Sequence, residues 1–115
     1  MLCHHDLNDG NLLVAREGTP YLSGAVDWER AAWDDPMADL AVTVGHVRHH
    51  PRLDFTTYEP FLLEGYGGLQ EAEVLRLDVY ILLVAVEART WVVTDRPPGW
   101  ADSATSLDEL LAALA

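Results

Sequence analysis

Two apolar runs, Asn11-Leu12-Leu13-Val14-Ala15 and Tyr21-Leu22-Ser23-Gly24-Ala25-Val26, are separated only by Arg16-Glu17-Gly18-Thr19-Pro20. Gly and Pro in so short a gap supply turn chemistry, and the pattern predicts a β-hairpin. No other stretch constrains the fold as much, because a hairpin folds the chain back on itself. Asp27, at its exit, is thereby brought near Asn11, at its entrance, although the two are far apart along the sequence.

After the hairpin the pattern turns helical. Asp34 or Asp35 reads as an N-cap with Pro36 at the first helical position. Met37, Leu40, Ala41, Val44 and Val47 then recur at helical spacing to about Arg48. His46, His49 and His50 close that helix before Pro51, where imidazoles suit the negative end of the helix dipole. A second helix spans Asp54 to Tyr66 despite Pro60, ending at Gly65 or at Gly67-Gly68. A third runs from about Gln70 to Thr94; its centre, VYILLVAV, could pass for a buried strand, but its length predicts a helix buried on most faces. Arg96 to Trp100 reads as a loop, and Ser103 or Ser106 as the cap of a last helix striped by Leu107, Leu110, Leu111 and Leu114. Trp28 to Trp33 reads as a loop or tight turn, with both indoles as core anchors. The expected fold class is α+β and mostly helical, one hairpin followed by a helical bundle, in a single domain of 115 residues. Residues 1–28 form its loop-and-hairpin part and 35–115 its helical part.

Charge and cysteine content exclude several classes of function. The net charge is −12 and the arginines are scattered, so the basic footprint of a nucleic-acid binder is absent. Acidic surface serves solubility, and it also suits a cationic small molecule. Cys3 is the lone cysteine, which rules out an internal disulfide. With His and Asp at positions 4 to 6 no signal peptide is legible, and the longest apolar run, Val79 to Val86, is too short for a membrane span. The expectation is a cytoplasmic protein with no membrane contact.

The chemistry concentrates at the start of the chain. His4, Asp6 and Asn11 form H-x-D-x-x-x-x-N, and Asp27 follows in an apolar V-D-W setting. A carboxylate can accept a proton from an attacking hydroxyl, while an amide oxygen and a second carboxylate hold a hard divalent cation. His4, His5 and Asp6 could also suggest a transition-metal site, but adjacent residues in extended chain point in opposite directions. A metal-dependent hydrolase using the same carboxylates would lack a clear water-activating ligand set.

LCHHDLNDGNLLV followed by AVDWERAAWDDPMADLA resembles the aminoglycoside phosphotransferase and choline kinase-like family of small-molecule kinases, which are protein-kinase-like. The resemblance is dense over residues 2–41 and loose beyond. It implies a kinase-like C-terminal lobe. Asp6 is implied as catalytic base, Asn11 and Asp27 as Mg²⁺ ligands, and Asp35, Pro36 and Asp39 as the helix-opening signature. His4 and Asp39 are implied as structural supports of the loop, His4 by hydrogen-bonding backbone near Asp27. His5 departs from the family, which most often has Gly there. The implied reaction is transfer from ATP or GTP to a hydroxyl of an aminoglycoside- or choline-like acceptor.

A kinase of this type also needs a strand Lys and a covering loop over the nucleotide phosphates. The sequence has no Lys and neither glycine-rich phosphate loop. It therefore reads as a C-terminal lobe lacking its N-terminal lobe, through an internal start or as a gene fragment. ATP or GTP is expected to bind only if that lobe is supplied. The alternative is a non-catalytic, truncated remnant that acts as a structural or oligomerising domain, self-associating through the lobe interface left exposed.

Overall fold

The computed structural model describes residues 1–50 and 52–114. Its architecture is α+β and mostly helical, as the periodicity predicts. Two strands, β2 (Leu12–Ala15) and β3 (Tyr21–Ala25), form the antiparallel hairpin. The register slips between Leu13 and Val14: Leu13 faces Gly24 but Val14 faces Leu22, so Ser23 is the extra residue of a β-bulge. The Ser23 hydroxyl donates to the Leu13 carbonyl at 3.1 Å, closing the irregularity. Gly18 takes a φ of +76° in the connecting turn, a conformation that costs glycine little.

Residues 1–11 read from the sequence as a short strand entering a polar loop; the strand is there, but its pairing partner was not expected. β1 (Leu2–Cys3) pairs antiparallel with β4 (Ala32–Trp33), placing Leu2 opposite Trp33 and Cys3 opposite Ala32. Residues 28–33 are therefore not all loop. The Asp34 N–H donates to the Met1 carbonyl at 2.9 Å, and the Met1 amino group donates to the Asp34 carbonyl at 2.8 Å. The start of the chain is thus stitched to the entrance of the first helix.

Four helices follow. α1 (Pro36–His49) is capped by Asp35, whose carboxylate accepts the Met37 N–H at 3.0 Å. α2 (Phe55–Tyr66) is capped by Asp54 and stopped by Gly67 at a φ of +109°. No residue of α2 is buried; a bidentate pair between Arg48 and Glu59, at 2.9 and 2.5 Å, ties it to α1. α3 (Glu71–Asp95) opens with Glu73 accepting the Gln70 N–H at 2.9 Å. α4 (Trp100–Leu114) begins at Trp100, ahead of Ser103 and Ser106, because the helix starts as soon as Pro97-Pro98-Gly99 has been passed.

α3 is the central element, packed by α1 on one side and α4 on the other. The core joins Met37, Leu40, Ala41 and Val44 to Leu77, Ile81, Ala85 and Val92, and these to Ala104, Leu107 and Leu110. Fully buried side chains such as Met37 and Ile81 each contribute about 1.5–3 kcal/mol. Two expectations are corrected here. α3 buries one face and not most of its circumference, since Leu75, Val79, Leu83 and Val86 are exposed. Trp28 and Trp33 do not anchor the core; Trp33 is 82 % exposed, because the edge of a two-residue ladder has nothing to cover it. Pro51 lies outside the described residues. Among them, no helix is long and apolar enough to cross a membrane.

Candidate active site

The loop between β1 and β2 is built around Asp6. Both of its carboxylate oxygens are held, Oδ1 by the Asn8 amide at 3.1 Å and Oδ2 by the Asn11 amide at 3.0 Å. The same two amides donate to the Asp6 backbone carbonyl, Asn11 at 2.8 Å and Asn8 at 3.2 Å. A short 3-10 turn, Asp9–Asn11, makes this possible: Asn8 caps it by accepting the Gly10 N–H, and the turn swings Asn11 back over Asp6. Asn8 was missed as a contributor. The signal was present, since an Asn two residues after Asp6 and two before Gly10 suits a side-chain-capped turn.

The loop is fixed from below by α1. The Asp39 carboxylate accepts the His4 and His5 N–H groups, both at 2.7 Å. The Thr43 hydroxyl, one turn further along α1, donates to the Leu7 carbonyl at 2.7 Å. His5 sits at a φ of +62°, where a side chain is disfavoured and Gly is not. Its imidazole Nε2 lies 3.5 Å from Asp34 Oδ2.

His4 is buried, and its ring bridges two segments. Nε2–H donates to the Val26 carbonyl at 2.8 Å, which requires the neutral tautomer if Nδ1 is to accept the Asp6 N–H, 3.3 Å away. Trp28 covers that ring at 4.6 Å between centroids and donates its indole N–H to Ala25. Cys3, also buried, sits beneath; burial pushes its thiol pKa up, and the nearby Asp39 carboxylate pushes it the same way.

Asp27 reaches the loop through the hairpin. The Val26 N–H donates to the Asn11 carbonyl at 2.9 Å, so the residue before Asp27 is directly paired to Asn11. Asp27 then turns in the left-handed region, at a φ of +65°. The structure therefore gathers His4, Asp6, Asn11 and Asp39 into one hydrogen-bonded set, with Asp27 next along the chain from its edge. Among the described residues neither the Asp27 carboxylate nor the Asn11 side-chain oxygen is taken by a hydrogen-bond donor. These are two hard oxygen donors, which suit a cation that keeps much of its water, such as Mg²⁺. No cluster of three or more His, Cys, Asp or Glu side chains is assembled for a metal among the described residues. The His46, His49 and His50 rings do meet at the end of α1, but His49 is bound to the Gly45 carbonyl at 2.7 Å. Burial lowers the His49 pKa, and its imidazole neighbours add to this.

Asp6 opens onto a cleft of about 690 Å³, within the size range of small-molecule sites. Val84, Ala88 and Trp91 of α3 and Leu107 and Leu110 of α4 line its apolar walls. Glu29, Arg30 and Glu87 stand at its polar side, with Arg30 and Glu87 paired.

The model of the APH phosphotransferase enzyme family matches residues 1–77, two thirds of the chain. The chain belongs to the phosphotransferase enzyme family. No curated protein and no solved structure gives a significant match. In this phosphotransferase-family chain the matched stretch takes in the whole Asp6 loop, the hairpin, α1 and α2, and it ends at Leu77 within the first turns of α3. The cleft walls from α3 and α4 fall beyond it.

Proposed function

We propose that this chain is the C-terminal, acceptor-binding lobe of a small-molecule phosphotransferase. The observation that carries the reading is the doubly held Asp6 carboxylate at the mouth of a cleft large enough for a small molecule. Asp6 is the base: it takes the proton of the acceptor hydroxyl at a carboxylate oxygen that Asn8 and Asn11 keep aimed at the cleft. Asn11, through its free amide oxygen, and Asp27 are the residues that would hold Mg²⁺, which when bound neutralises charge on the nucleotide phosphates. His4 and Asp39 position this set without touching the reacting atoms. A net charge of −12 and Glu29 beside the cleft support a cationic, hydroxyl-bearing acceptor of the aminoglycoside or choline kind.

ATP or GTP needs a further element. The 115 residues include no Lys to pair with the phosphates, and positioning supplies most of the catalysis in this chemistry. We therefore expect no appreciable transfer to aminoglycosides or choline by these residues alone, and turnover once a nucleotide-binding lobe of the same family is supplied. Asp6→Asn should abolish that turnover; activity surviving it would overturn the assignment of the base. Calorimetric Mg²⁺ titration of wild type and Asp27→Ala tests the metal ligands separately, and identical traces would remove them. Should the supplemented protein stay inactive while folded, the second reading stands: a non-catalytic domain retained for structure or oligomerisation.

A further inference from the structure

α3 has two apolar faces, and only one has a partner among the described residues. Leu77, Ile81, Ala85 and Val92 face the core. On the opposite side Ala72, Leu75, Val79, Leu82 and Val86 alternate spacings of three and four, and all are exposed, Leu75 by 68 % and Val79 by 51 %. We propose that this face packs against the same face of a second copy of this chain.

Three observations select that occupant. Alternating threes and fours average 3.5 residues, the period of a seam between two helices and not of a helix lying on a sheet or a loop. Within the seam Val79 and Val86 hold one position of the repeat and Leu75 and Leu82 the other, the side-chain arrangement that favours two strands. Second, the seam positions carry no charge, and of the charges flanking them along α3 only the exposed Glu71 and Asp78 have no partner among the described residues. Arg76 pairs with Asp35, Glu87 with Arg30 and Arg89 with Asp108. A partner recruited by opposite charge has little to read here, whereas an apolar strip complementary to itself suits a two-fold contact.

The third observation is area. The chain exposes 7745 Å², while a compact monomer of 12.8 kDa exposes about 6,300 Å². The excess is more than the roughly 800 Å² that each partner buries in a standard interface. Pairing also leaves the cleft free. At 3.6 residues per turn Trp91, which lines the cleft, points about 120° away from Val79 around α3.

Sedimentation equilibrium of the full chain over a wide concentration range tests the proposal. The wild type should dimerise, and Leu82→Glu should raise the dissociation constant at least about tenfold while the circular-dichroism helix signal is unchanged. Leu75→Lys, at the most exposed seam position, serves as the second variant should Leu82→Glu disturb the helix. Leu22→Glu, on the exposed hairpin, should leave the dimer intact. A wild type that stays monomeric throughout overturns the proposal. So does a dimer that ignores both seam variants, or one that only Leu22→Glu dissociates.

Discussion

Asp39→Ala removes both oxygens that receive the His4 and His5 N–H groups at 2.7 Å each. Two explanations of Asp39 predict different costs. As a carboxylate in the first turn of α1 it would act on the helix dipole alone, worth about 0.3–1 kcal/mol. As the anchor of the loop it makes two hydrogen bonds with a charged partner, at about 1.5–3 kcal/mol each, so the loss should be about 3–6 kcal/mol. Against a typical total of about 5–15 kcal/mol the second value is easily measured. Urea unfolding followed by far-ultraviolet circular dichroism and by tryptophan fluorescence is the assay. Asp39→Asn keeps one acceptor and turns an NH₂ toward the other N–H, so it should lose about half as much, roughly 1.5–3 kcal/mol. Hydrogen exchange at the His4 and His5 amides should accelerate in both variants. A loss below about 1 kcal/mol in Asp39→Ala would refute the anchoring argument and leave only the dipole.

His5→Gly should stay within about 1 kcal/mol of wild type, because relief of the left-handed φ is offset by the greater chain entropy of Gly; His5→Val should lose about 2 kcal/mol in the same urea assay. Glu59→Ala strands the half-buried Arg48 guanidinium, whose pKa its partner's hydrogen bonds raise, and should cost about 1–3 kcal/mol. Because no residue of α2 is buried, hydrogen exchange should show that loss confined to residues 55–66. The Asp54 carboxyl is held below its usual pKa by the Thr56 and Thr57 hydroxyls, so its cap stabilises α2 fully above pH about 3.8 and is lost as acid titrates the folded group. Circular dichroism of wild type should show this acid step, and Asp54→Ala should lack it.

The extent to which the sequence could be read follows from the size of each signal. The hairpin was legible because Gly18 and Pro20 interrupt two apolar runs, and α1 because Asp35 and Pro36 mark its start. The pairing of β1 with β4 was not, since a two-residue strand such as Ala32–Trp33 has no period to detect. α3 shows the deeper limit. A helix apolar on both sides does not disclose which side is covered, and burial on most faces was the natural but mistaken expectation. The indole of Trp33 misled for the same reason: residue type records what a side chain prefers, not whether a neighbour is there to meet it. In the loop, His4, Asp6 and Asn11 could be read as a set because their spacing is itself the motif, whereas the place of Asp39 came from the family resemblance alone. Asn8 was overlooked because its contribution, through a turn of only three residues, is geometric and local.

The Asn11 side chain couples two parts of the proposed site. An amide group is flat, and its nitrogen and oxygen cannot be aimed independently. With the nitrogen pinned to Asp6 by two bonds, the direction of the oxygen is set as well. A cation seated on that oxygen would share its ligand with the group that steadies the Asp6 carboxylate, so a change at Asn11 would disturb both at once, while the cleft walls contributed by α3 and α4 lie outside that coupling.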